Sequence, residues 1–115
     1  MYKEEVLEHF KNPHNRGIIK SPSVSVSEKN ELCGDTVEIG LSVKNGEIKD
    51  IKFSGTGCAL VTASASLLTD YLKGKSLRDL EKIDDKFVIK LLGGKITPAR
   101  VGCALLPLKA LKKIK

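Results

Sequence analysis

Three cysteines and one aspartate carry most of the chemistry this sequence offers. Cys33 and Asp35 stand in ELCGDT, Cys58 in GTGCAL and Cys103 in ARVGCALLP. Three thiols cannot all pair, and no two form a Cys-x-x-Cys couple, so reduced thiols in a reducing compartment fit better than a disulfide framework. Each cysteine adjoins a glycine (Gly34, Gly57 or Gly102), a residue that lets backbone or ligand come close. A single cysteine is more often a small packed hydrophobe than a ligand. Three of them at junctions between elements, where sites are usually built, reverse those odds. Cys33 and Asp35 are two residues apart, so in an extended chain their side chains share a face, roughly 6–7 Å from one another. Cys58 opens a helix-forming run, and a helix N-terminus favours thiolate, the form that binds metal or attacks sulfur. Three soft sulfurs and one hard oxygen suit zinc or an iron–sulfur centre.

The elements that must hold these residues are legible around them. From Lys3 to Lys11 a helix is expected, with Val6, Leu7 and Phe10 on its apolar face and Pro13 closing the segment. The stretch NPHNRGIIKSPSVSVSEKN is rich in turn formers and predicts an ordered loop followed by a short strand near Val24 to Ser27. Val37, Ile39, Leu41 and Val43 alternate as a half-buried strand does. Asn45-Gly46 is a hairpin signal, with the return strand from Glu47 to Ser54 burying Ile51 and Phe53. Cys58 to Lys73 reads as a helix ended by Gly74. Ser76 with Asp79 opens a short helix, and Asp84 or Asp85 caps a third that runs to Leu92 and breaks at Gly93-Gly94. Pro98 precedes a last helix through Leu105, Leu108, Leu111 and Ile114, which Pro107 kinks unless the helix starts close to it. The order predicts an α+β fold: a small antiparallel three-stranded sheet with helices packed on one face.

At 115 residues the chain reads as one domain, 1–115, able to bury a core without disulfides. No stretch approaches the ~18–20 apolar residues of a membrane span. The opening MYKEEVLEHF carries acids and no apolar signal core, which predicts a cytoplasmic protein. The net charge of +6 is concentrated in one place. Lys95, Arg100, Lys109, Lys112, Lys113 and Lys115 fall in the final segment with no acid among them, leaving the rest neutral. Such a segment attracts acidic partners, or simply complements a helix C-terminus. Five aromatic residues and no tryptophan, without basic–aromatic interleaving, argue against a nucleic-acid-binding module.

The opening MYKEEVLEHFKNPHNRG, the CGD at Cys33 to Asp35, GCALVTASASLLTDYLKGKSL from Gly57 to Leu77, and a third cysteine followed by an amphipathic helix form a specific pattern. Along nearly the whole chain it resembles the U-type iron–sulfur cluster assembly scaffolds, the family of IscU and the N-terminal domain of NifU. The resemblance implies a cluster carrier rather than an enzyme, one that accepts iron and persulfide sulfur, assembles a [2Fe–2S] cluster and passes it to apo-proteins or carriers. Its implied partners are a pyridoxal-phosphate cysteine desulfurase or another sulfur source and the apo iron–sulfur recipients; self-association is compatible with it. Carried over to this chain, Cys33, Cys58 and Cys103 are cluster ligands and Asp35 is the carboxylate beside them. Cys103 is then the first persulfide acceptor. Arg100 replaces the lysine of better-known bacterial scaffolds, and its expected role is that of an exposed arginine.

The departures from the pattern narrow the reading. Gly102 stands where IscU-type members place histidine, so histidine ligation there is excluded, and His9 and His14 are expected in surface or packing roles. KITPARVG replaces the LPPVK element that recruits a dedicated chaperone. The segment between Cys58 and Cys103 lacks room for the insertion of the zinc-bearing SufU branch. The alternative is a zinc-binding sulfur-acceptor relay for a cysteine desulfurase, with zinc in place of the cluster; the missing insertion favours iron.

Overall fold

Alternation and one tight turn build the sheet. In the computed structural model, which describes residues 4–31 and 34–114, strand β2 (Asp35–Lys44) buries Val37, Ile39 and Leu41 on one face. It turns at Asn45 and Gly46, both with positive φ, into β3 (Glu47–Ser54). Two residues with φ > 0 are what a primed hairpin turn needs to match the strand twist. Ile48, Ile51 and Phe53 are all buried, although Ile48 and Ile51 are three positions apart. A bulge opposite Ser42 and Val43 absorbs the odd residue. Strand β1 (Val24–Asn30) pairs antiparallel with β2, from Val24 opposite Leu41 to Asn30 opposite Asp35, so the sheet order is β1-β2-β3.

Five helices complete the described chain: α1 (Glu4–Lys11), α2 (Ala59–Leu72), α3 (Leu77–Glu81), α4 (Asp85–Leu91) and α5 (Pro98–Leu111). Helix α5 packs over β1 and β2, α2 lies against β3, and α1 and α4 flank them. This is the expected α+β arrangement, with helices on one face of the sheet. On the opposite face Ile19 and Pro22 lie over Gly40, so the loop before β1 covers part of the strand. Local signals place the helix ends. Gly74 (φ 87°) follows α2, Ser76 and Asp79 form a reciprocal capping box on α3, Asp84 accepts from the Phe87 N–H on α4, and Pro98 is the first residue of α5. Pro107 is buried inside α5, which runs on to Leu111. Among the described residues no helix is long and apolar enough to cross a membrane.

Helix α1 differs from expectation. Leu7 and Phe10 are each 44% exposed, and the inward stripe is Val6 with His9. The reason lies on α2, where Ser66 offers a buried hydroxyl to the His9 ring at 2.6 Å. That polar pairing makes the imidazole cheaper to bury than an unpartnered group of its kind.

The sheet is tied to α2 by a loop whose first residue has to be glycine. Gly55 has φ 132°, and a Cβ there would collide with the Thr36 carbonyl oxygen. Gly55→Ala is therefore expected to destabilise the fold by about 2 kcal/mol or more, through backbone strain and displacement of Thr36. Chemical denaturation measures it, and an unchanged midpoint would contradict the geometry.

Candidate metal centre

Asp35 begins β2 and sits opposite Asn30 at the end of β1. Beyond β3 the chain continues alongside the start of β2 in the same antiparallel register, from Ser54 opposite Glu38 to Thr56 beside Thr36. The Thr36 N–H donates to the Thr56 carbonyl at 2.7 Å, the Thr56 N–H to Thr36 Oγ1 at 3.2 Å, and the two hydroxyls lie 3.2 Å apart. These bonds hold the next residues beside Asp35. A side chain at Gly57 would collide with Val61, so glycine lets the loop settle on the first turn of α2. Cys58 follows as the N-cap of α2, in extended conformation, exposed, with its side chain making no capping bond. Its sulfur is thus not committed to holding the helix.

Cys103 arrives from another direction. It lies in the second turn of α5, half-buried, not at the helix start. The buried Ser64 hydroxyl on α2 donates to the Ala104 carbonyl at 2.7 Å and locks the two helices in register beside that cysteine. As a result the ligating atoms of Asp35, Cys58 and Cys103 all lie within 4.8 Å of one another. Cys33 lies outside the described residues, as does its expected separation from Asp35.

Asp35 Oδ2 is buried with no hydrogen-bond partner among the described residues. An acceptor left in that state costs about 1–3 kcal/mol, which a metal ion or an incoming donor can recover. Thiolate and carboxylate bonds to zinc run to roughly 2.3 and 2.0–2.2 Å, so three donors inside the 4.8 Å envelope need only small side-chain movements to share one ion. The donor set fits a metal.

Sequence reasoning did not single out Thr36, Thr56 or Ser64, whose bonds carry the assembly. A hydroxyl in a strand or helix gives no sign of a partner 20 or 40 residues away. Arg100 is exposed, near the apolar residues Phe10, Leu60 and Ala63. The tail lysines are partly used within the fold. Lys112 Nζ donates to the Glu81 carbonyl at 3.1 Å. Lys113 Nζ donates to the Ser27 carbonyl at 2.7 Å and pairs with Glu28 at 3.4 Å. The Glu28 carboxyl is held below its ordinary range, first by the Lys29 backbone N–H and then by Lys113.

Known proteins share both sequence and fold with this chain. It is 36% identical to the iron–sulfur cluster assembly scaffold protein IscU 1 of Archaeoglobus fulgidus, over 98% of this chain and 73% of that one. It is 33% identical to the zinc-dependent sulfurtransferase SufU of Bacillus subtilis, over 98% of this chain and 88% of that one. A crystal structure from Fervidobacterium islandicum, described as a cluster assembly scaffold of the SUF system, superposes with a TM-score of 0.82 at 27% identity, covering 97% of this chain and 94% of that one. The NifU-like N-terminal domain family matches residues 1–114, and with the fold and the converging donors in agreement, this chain belongs to that family.

Proposed function

We propose that the chain, as a single domain, is a scaffold on which a [2Fe–2S] cluster is assembled from iron and sulfur and handed to apo-proteins. Cys33, Cys58 and Cys103 are the thiolate ligands, and Asp35 is the carboxylate beside them. The carrying observation is the convergence of Asp35, Cys58 and Cys103 around a buried carboxylate oxygen that has no protein partner among the described residues. The cluster is cargo, bound and released. Sulfur arrives from a cysteine desulfurase when the Cys103 thiolate attacks the outer sulfur of its persulfide and expels the desulfurase thiolate. Converting that sulfur to sulfide takes two electrons from an external reductant. Recipients are apo iron–sulfur proteins or carriers.

The likeness to the Bacillus subtilis sulfurtransferase supports a second reading, in which the same residues hold zinc and relay sulfur. That alignment spans 130 positions against a chain of 115, so the relative carries segments this chain lacks. Read with the insertion expected of the zinc-bearing branch, that length difference supports the scaffold. Anaerobic purification and reconstitution with iron, cysteine and a desulfurase, followed by iron, zinc and acid-labile sulfide analysis, tests it. The expected result is iron and sulfide in equal amounts with visible absorption. Zinc retained without sulfide, together with faster desulfurase turnover, would establish the relay instead.

A further inference from the structure

A second set of metal-type donors lies at the far end of α2. His9 on α1, His14 in the loop after it and Asp70 on α2 place ligating atoms within 4.8 Å of one another. Asp70 is twelve residues along the chain from Cys58, so at about 1.5 Å per residue the two sets are roughly 18 Å apart. They cannot share an ion.

This group is held in place. Ser66 Oγ contacts the His9 ring nitrogen Nδ1 at 2.6 Å and accepts the His14 backbone N–H at 2.7 Å, so one buried hydroxyl fixes both histidines. The next residue, Asn15, donates from its side chain to Thr69 Oγ1 at 3.1 Å, while its carbonyl accepts the Phe53 N–H at 2.9 Å. The loop is thereby pinned between α2 and β3. The two imidazoles lie with ring centroids 4.5 Å apart, and His14 Nδ1 is 3.2 Å from Asp70 Oδ2. Two donors bound at about 2.1 Å to one ion at angles between square and tetrahedral are roughly 3.0–3.4 Å apart, which brackets that distance. His9 is buried, whereas the side chains of His14 and Asp70 are each half exposed and able to close on an ion from the solvent side.

We propose that His9, His14 and Asp70 form a second cation site, for a divalent transition metal of the zinc class, with solvent completing the shell. Two imidazoles and one carboxylate suit such an ion and not magnesium or calcium, which take oxygen donors. His14 ligates through Nδ1 by carrying its proton on Nε2, and the hydroxyl of Ser66 orients His9 from behind. An ion there cross-braces α1 and its following loop to α2. The inference does not depend on the cysteine site.

Zinc titration calorimetry of the metal-stripped full chain, beside His14→Ala, Asp70→Asn, Ser66→Ala and Cys58→Ser, tests it. The expected result is that His14→Ala and Asp70→Asn each remove one equivalent of zinc that Cys58→Ser leaves in place. Ser66→Ala keeps that equivalent but weakens it by roughly 10–100-fold. His14 and Asp70 are exposed, so their variants retain the parental circular dichroism. Zinc equivalents and affinities unchanged in both His14→Ala and Asp70→Asn would overturn the proposal.

Discussion

Replacing Cys33, Cys58 or Cys103 singly with alanine is expected to abolish stable assembly of a visible-absorbing cluster, while the fold persists. The two halves of that expectation have separate physical grounds. Cys58 caps α2 without a side-chain bond and is exposed, so its truncation removes no capping hydrogen bond and is expected to change stability by about 0.5 kcal/mol or less. Cys103 is half-buried beside the core, and losing one sulfur there costs on the order of 1 kcal/mol. Neither loss unfolds a domain whose buried cluster runs through β2, β3, α2 and α5. Cluster binding, by contrast, loses one of three soft donors, for which neither water nor the neighbouring carboxylate is a matched substitute. Anaerobic reconstitution followed by visible absorption and circular dichroism reads the outcome, with thermal unfolding as the control. If any two of these variants reconstitute like the parent, the proposed ligand set is wrong.

Asp35→Ala is expected to act in the opposite sense, retaining the cluster longer and delivering it more slowly. A four-cysteine cluster protein surrounds iron with matched thiolates. A carboxylate is a harder and poorer match, so the iron beside it keeps an exchangeable position at which an acceptor thiol can enter. The structure adds a second consequence. Because Asp35 Oδ2 is buried without a partner among the described residues, its removal relieves a desolvation penalty, and the cluster-free Asp35→Ala protein is expected to be more stable than the parent by about 1 kcal/mol. Asp35→Cys is expected to slow release further by completing a four-thiolate shell. Transfer to an apo-ferredoxin, followed by visible circular dichroism under anaerobic conditions, measures the rates. Parental transfer by both variants would remove the carboxylate from the release mechanism. A lower unfolding temperature for cluster-free Asp35→Ala would mean that the oxygen has a stabilising partner after all.

Much of this protein follows from short-range signals, which act between neighbours in sequence. The alternation of Val37, Ile39 and Leu41, the Asn45-Gly46 turn, Gly74 after α2 and the Ser76–Asp79 pair define elements through backbone sterics and local hydrogen bonds, so the sheet and most helix ends could be read in advance. The cysteines and Asp35 stood out as candidate donors for a different reason: their donor chemistry is intrinsic to residue type, and their spacing matches a known family. Tertiary structure alone decided what those residues meet. The continuation of the chain beyond β3 beside Thr36, and the Ser64 bond that sets α5 on α2, bring together donors that are up to 68 positions apart. It also turned Leu7 and Phe10 outward and His9 inward, because the side on which α1 rests depends on a hydroxyl 57 positions away. A helical stripe specifies which residues lie together, but not which neighbour they face. That choice is made by packing, where one buried Ser66 holds two histidines and outweighs the local hydrophobic pattern.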